Sequence, residues 1–263
     1  MQKFRLPLIA AISILSLSAC GKKEEPSPVN NSAIYSPKIS EIGTVSPVPQ
    51  SDPSASQPDS TPTSQASSLP QANINTPFSQ YRSINSGAEL ALVYYAVSDT
   101  PVDYEQLTQH MSAAYRTTSD AFKRKDIVDS LKPKIDAQIS AFRMSPYLKV
   151  HWTSLVPGHY DMTSQSFPLN NLPLGSQTGR WMDGTQYSYS ITNSAPYSAL
   201  KITDQATARK IENAISQMHP FSADMYLFAQ GTDADSHLVK MQMVRMDVLD
   251  AQQSVIGTLK DTR

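Results

Sequence analysis

Fifty residues, 26–75, hold nine prolines and twelve serines, with Tyr35 as their one aromatic side chain. Charges are sparse there, and no apolar period of 3.6 or of two residues persists. Such a segment cannot bury enough apolar surface to offset its ordering entropy, so disorder with extended, polyproline-like stretches is expected. Any core must therefore come from 76–263, a length that suits one domain. As a flexible coil, fifty residues span a root-mean-square distance of about 40 Å, and proline lengthens that. Residues 20–75 read as a tether and 76–263 as the folded part.

Ahead of the tether, Lys3 and Arg5 precede an apolar stretch from Leu6 to Leu17. It is too short for an ordinary membrane span and ends in small residues, so 1–19 reads as a removable secretory signal. The string Leu17-Ser18-Ala19-Cys20 resembles the lipobox of bacterial lipoproteins. That resemblance implies cleavage before Cys20, a diacylated thiol and an acylated amine, so the protein meets the bilayer through Cys20. Several acyl chains anchor stably where one holds only marginally. Cys20 is the single cysteine, so an intrachain disulfide and a cysteine zinc site are excluded. Gly21 follows, not the aspartate that commonly retains such proteins in the inner membrane. The family pattern therefore favours the outer membrane, facing the periplasm.

In the folded part, helices are expected first. Ser86 and Glu89 have capping-box spacing before the apolar run Ala88–Val97. Tyr104, Leu107, Met111 and Ala114 repeat at helical spacing after Pro101. Ser119 is placed to cap a third helix whose stripe runs from Ile127 to Phe142, with a kink or a junction expected at Pro133. Strands follow. Leu148, Val150 and Trp152 alternate with Tyr147, Lys149 and His151, and Tyr187, Tyr189 and Ile191 alternate later. Further strands are expected at 197–202, 225–228, 238–249 and 254–259. Within 238–249 the apolar parity switches between Met243 and Val244, as a β-bulge would require. One helix near 204–218 lies between strands, with Ala208, Ile211, Ile215 and Met218 on one face. Helices followed by a mainly antiparallel sheet with one inserted helix make the expected fold class α+β.

Charge excludes one class of partner. Lys and Arg number 22 against 23 Asp and Glu, and a broad nucleic-acid surface needs a basic excess. The chain carries no G-x-S-x-G elbow, P-loop, G-x-G-x-x-G or H-E-x-x-H motif, and nothing implies a cofactor. The string from Asp233 to His237 begins like a calcium loop, but Leu238 and Val244 stand where glycine and a bidentate glutamate are needed. It reads as a hairpin turn. Met241, Met243 and Met246 near His237 offer soft copper ligands, although methionine also fills cores. The densest group of binding side chains is His151, Trp152, His159, Tyr160 and Asp161, around Pro157-Gly158, with Trp181 able to join them on the sheet. Aromatic faces beside hydrogen-bonding groups suit a sugar or a peptide. Asp161 with His159 or His151 is also a candidate acid–base pair.

The segment Gly158-His159-Tyr160-Asp161 running to Phe167-Pro168-Leu169, with Leu200-Lys201-Ile202-Thr203-Asp204 entering a helix, resembles a family of bacterial envelope proteins of unknown function. The resemblance implies an α+β envelope domain over about 77–260 and carries no catalytic residues. The leading expectation is a lipid-anchored periplasmic lipoprotein whose domain contacts an envelope protein complex or a cell-wall polymer without catalysis. The alternatives are an envelope hydrolase of peptidoglycan, glycan or ester bonds, and a metal- or small-molecule-binding lipoprotein.

Overall fold

A computed structural model describes residues 69–261. Cys20, the signal at 1–19 and most of the expected tether lie outside the described residues. The chain builds an α+β fold with its elements labelled in sequence order. Strand β1 (Arg82–Ile84) precedes the helices, so the chain does not open on helix as the sequence suggests. Helix α1 (Gly87–Val97) starts at the expected cap: Ser86 Oγ accepts from the Glu89 N–H at 3.2 Å, and Glu89 Oε2 accepts from the Asn85 N–H at 2.7 Å. Its residues Leu90–Ala96 are all buried. A helix apolar on every side is one covered on every side.

The single helix expected after Pro101 is two. Asp103 caps α2 (Tyr104–Met111), and Ser112 leaves the helical conformation to cap α3 (Ala113–Thr117) by accepting from the Tyr115 N–H. A serine that bonds backbone ahead of it competes with the helical ladder, which is why the run breaks there. Asp120, not Ser119, caps α4 (Ala121–Met144), accepting from Phe122 and Lys123. α4 runs through Pro133 as one helix, and only Ile135, Ile139 and Phe142 of its stripe are fully buried. It packs on α1, which lies on the sheet.

Three long antiparallel strands form the centre: β2 (Tyr147–Pro157), β6 (Phe221–Asp233) and β7 (Leu238–Leu249). Each outer edge is shared by two short strands. On β2, β1 pairs in parallel with Leu148–Val150, and β3 (Ser166–Asn170) pairs antiparallel with Val156–Pro157. On β7, β4 (Ser188–Ile191) pairs in parallel with Leu238–Met241, and β8 (Val255–Lys260) antiparallel with Arg245–Leu249. β5 (Ala199–Lys201) continues from β3, and the sheet curls until Leu200 of β5 lies over Gly257 of β8. A Cβ on Gly257 would stand 2.5 Å from Leu200 Cδ1. Helix α5 (Gln205–Ser216), capped by Asp204, joins β5 to β6.

Alternation on β2 sorts as the sequence implies: Leu148 and Val150 are buried, while Lys149 and His151 face outward. The parity switch is a real bulge. Tyr226 pairs with Arg245 but Leu227 pairs with Met243, leaving Val244 extra. The bulge falls where β4 ends and β8 begins, and the gap is filled by Asn193. Its Oδ1 accepts from the Met243 N–H at 2.8 Å, and its Nδ2 donates to Met243 O at 2.8 Å and Asp261 Oδ2 at 2.9 Å. Met241, Met243 and Met246 are fully buried core residues, and residues 234–237 are a turn. Residues 69–75, read as tether by composition, are bonded to the sheet: Gln230 Nε2 donates to Pro70 O at 2.7 Å, and the N–H groups of Ala72 and Asn73 donate to Gln242 Oε1 and the Tyr147 hydroxyl. The described fold therefore starts ahead of Thr76.

Candidate functional site

The sequence group around Pro157-Gly158 divides in the structure. His151 lies on the open face of the sheet, where its Nδ1 is 2.8 Å from Asp224 Oδ1 and Lys149 Nζ is 2.7 Å from Asp224 Oδ2. Burial works to raise the Asp224 pKa, but the bonds from Lys149 and His151 outweigh it and hold the carboxyl below its usual range. Trp152 points the other way; it is half-buried against the core, and its Nε1 donates to Asn171 O at 2.8 Å. Trp181, on the 171–187 loop, packs against Tyr189 with the rings tilted by 43° and their centroids 5.9 Å apart. Asp161 bonds neither histidine: its carboxylate accepts from the Ser164 hydroxyl and the Thr163 N–H, which lower its pKa. The acid–base pair expected from sequence does not form. Among the described residues neither His151 nor His159 bonds a hydroxyl, and no three His, Cys, Asp or Glu side chains are placed to hold a metal.

His159 and Tyr160 do come together, on α5. His159 Nδ1 is 2.6 Å from Glu212 Oε1, the Tyr160 N–H donates to Glu212 Oε2 at 2.9 Å, and the Tyr160 hydroxyl donates to Ile202 O at 2.7 Å. The His159 bond first, and the Tyr160 N–H second, hold Glu212 below its usual pKa. These bonds seat α5 against the end of the curled sheet, but they do not cover it. Ala208 and Ile211 are buried, Ile215 is half-buried, and Met218, two residues past the end of the helix, is 89% exposed. The face that the sequence marks as apolar is therefore buried over only half its length.

Three open grooves flank this helix. One of about 220 Å³ runs between Tyr160, Met162 and Ala208, with Arg209 on its wall. A second, about 260 Å³, lies among Ile211, Ala214, Phe221 and Ile256, with Lys210 beside it. The third, about 390 Å³, adjoins the second through His219 and Phe221 and takes in Val156, Ile215 and Met218. Met162 and Val156 are 73% and 53% exposed. Sequence reasoning marked Ile215 and Met218 only as core; Val156, Met162, Arg209 and Lys210 gave no signal, because the grooves exist only after β2, β3, β8 and α5 meet.

A separate cleft of about 450 Å³ opens beside the first turn of α1. Glu89, His110, Gln138 and Asp183 line it. Asp183 accepts from the Gly87 N–H at 2.7 Å and from Thr185, bonds that outweigh burial and keep its pKa low. Gln138 Oε1 is buried in the cleft wall with no hydrogen-bond partner among the described residues. No protein-family model, no curated protein and no solved structure matches this chain.

Proposed function

We propose that this chain is a lipid-anchored envelope lipoprotein whose domain works by binding rather than by catalysis. The resemblance of residues 17–20 to a lipobox supports the anchor, with Cys20 as the acylated residue at the outer membrane. Among the described residues no helix is long and apolar enough to cross a bilayer. The observation that carries the binding role is the half-covered α5: an apolar helix face continuing into open grooves that hold exposed Val156, Met162 and Met218. Contiguous exposed apolar surface of this kind marks interaction sites. Anchoring confines the domain near one membrane, so a weak contact there is well populated. The partner is an envelope protein complex or a cell-wall polymer.

The test compares native protein with Cys20→Ala, both expressed in cells fed an alkyne fatty acid, followed by crosslinking and recovery. Native protein should take the label, sediment with membranes and recover one specific partner. Label retained on Cys20→Ala removes the lipoprotein reading. Turnover of peptidoglycan, glycan or ester substrates by the purified protein removes the binding reading.

The unpartnered Gln138 Oε1 favours a second reading, a small-molecule-binding lipoprotein. A ligand in the α1 cleft would present an N–H or O–H to that oxygen. Thermal stabilisation by such a ligand, lost in Gln138→Leu, is its test.

A further inference from the structure

We infer that the cleft beside the first turn of α1 binds a small alkyl amine in its ammonium form. The inference rests on the second reading above, a small-molecule site in this cleft, and names the chemical class of its ligand.

Shape supplies the first argument. The cleft has a volume of about 450 Å³. Ala88, Leu92 and Met111 give it an apolar wall, and every other side chain lining it is polar. Leu92 is buried and Met111 half-buried against the core, so this wall is fixed by packing. A concave site of this size, with apolar walls and a few convergent polar groups, suits an organic ligand and is far larger than a bare ion fills.

Unmet hydrogen bonds supply the second. Gln138 Oε1 is wholly buried and has no partner among the described residues. A buried acceptor without a donor costs free energy until one reaches it. Glu89 accepts from the Asn85 N–H and the Ser86 hydroxyl through Oε2, and its Oε1 bonds no described residue. Both free atoms are acceptors, so the missing partner is a donor.

Charge decides what kind of donor. Glu89 and Asp183 both line the cleft, and no Lys or Arg does. Among the described residues neither carboxylate has a salt-bridge partner. Arg116 bonds Gln109 O and His110 O and is not part of the cleft wall. The end of α1 that the two carboxylates cap offsets about half an elementary charge. His110 is the one basic side chain in the wall, and with its imidazole neutral the cleft keeps a net negative charge. An anion is repelled there, and a neutral ligand leaves both carboxylates without a counter-charge. A metal ion fits less well: among the described residues no three His, Cys, Asp or Glu side chains are grouped to hold one, and an ion makes no use of the apolar wall. An ammonium group brings three donors to these acceptors, and its carbon stem lies on Leu92 and Met111.

The test titrates the purified full-length protein, by calorimetry and by melting temperature, with cadaverine and pentylamine. The uncharged five-carbon diol, the five-carbon dicarboxylate glutarate and calcium chloride are run beside them. The expected result is that the amines bind one to one and raise the melting temperature, while the other three do neither. Glu89→Gln, which keeps a capping oxygen, and Gln138→Leu should each raise the amine Kd about tenfold. Met111→Trp fills the cleft without touching a cap and should abolish binding. The three variants lie on different helices, so a folding defect in one leaves the other two to decide. Binding of the diol or of glutarate in place of the amines overturns the inference and leaves a small-molecule site standing. Binding of calcium alone overturns it in favour of a metal site. Amine affinity unchanged in the variants overturns it by placing the cation elsewhere on the surface. No binding by any of the five removes the small-molecule reading as well.

Discussion

Replacing Asn193 should be among the most damaging single changes outside the apolar core. The side chain is buried and stands in for a strand between β4 and β8, where it bonds the backbone of Met243 beside the bulge at Val244. Asn193→Leu keeps the approximate volume and removes three bonds. Met243 O retains the Tyr197 hydroxyl at 2.7 Å, and Asp261 Oδ2 retains Gln242 Nε2 at 3.2 Å. The Met243 N–H is left buried without its partner, which costs about 1–3 kcal/mol, and the lost bond to the Asp261 carboxylate adds about 1.5–3 kcal/mol. A loss of about 3–5 kcal/mol follows, or about 6–20 °C in melting temperature for a domain of this size. Asn193→Asp separates geometry from charge. It keeps the shape but sets a second carboxylate against Asp261 and Met243 O, so the new group's pKa rises in the folded state. A raised folded pKa means that the protonated form is favoured: the variant should be least stable at neutral pH and recover as pH falls toward and below the ordinary carboxylate range. Urea and thermal unfolding of the full-length protein between about pH 4 and pH 7 read both effects. A loss below about 1 kcal/mol for Asn193→Leu, or a pH-independent deficit for Asn193→Asp, would refute this account of the β7 edge.

Three other expectations come from the same coordinates. Gly179→Ala should cost about 1–3 kcal/mol in urea unfolding, because its Cβ would lie 2.4 Å from Cζ of the buried Tyr189 ring while two backbone bonds hold the pair in register. Asp224→Asn should flatten the acid limb of stability. The Asp224 pKa is depressed on folding, so its contribution is present above the unfolded value of about 3.9 and lost as pH falls through the lower folded value; the gap between wild type and variant in melting temperature should therefore close toward acid. A chain starting at Thr76 should be less stable than one starting at Leu69 by about 2–4 kcal/mol, because it lacks the bonds made by Pro70, Ala72 and Asn73; equal melting temperatures would return 69–75 to the tether.

Much of the fold was legible because it is written in local pattern. The Ser86–Glu89 spacing marks the start of α1, the alternation after Pro146 fixes which face of β2 is inward, and the parity switch locates the bulge at Val244. What was not legible depends on distant partners. β1 is three residues long and β3 contains Pro168; β1 is a strand because β2 offers an edge, and β3 because it lies between β2 and β5. The site was harder for the same reason. His151 and His159 are eight residues apart, but their carboxylate partners come from 73 and 53 residues away, one on β6 and one on α5. Proximity in sequence suggested one site where the fold makes two separate histidine–carboxylate hydrogen bonds. Residues 171–187, which contain Trp181, have no periodicity to read, and Tyr189 decides where that tryptophan lies.

The division of each sheet edge between two short strands explains why the domain has two unlike ends. Where β1 and β4 pair, residues 70–73 are bonded down onto β2, β6 and β7. Where β3 and β8 pair, the sheet curls and α5 seats against its rim. A helix serving only as a plug would turn polar once past the rim, at little cost in propensity. α5 instead stays apolar through Ala214 and Ile215, and Met218, two residues past its last, stands in a conformation that favours glycine. Stability alone would select glycine there and polar side chains at Val156 and Met162. Neither substitution is present, and exposed apolar side chains at this rim are what the proposed binding role predicts.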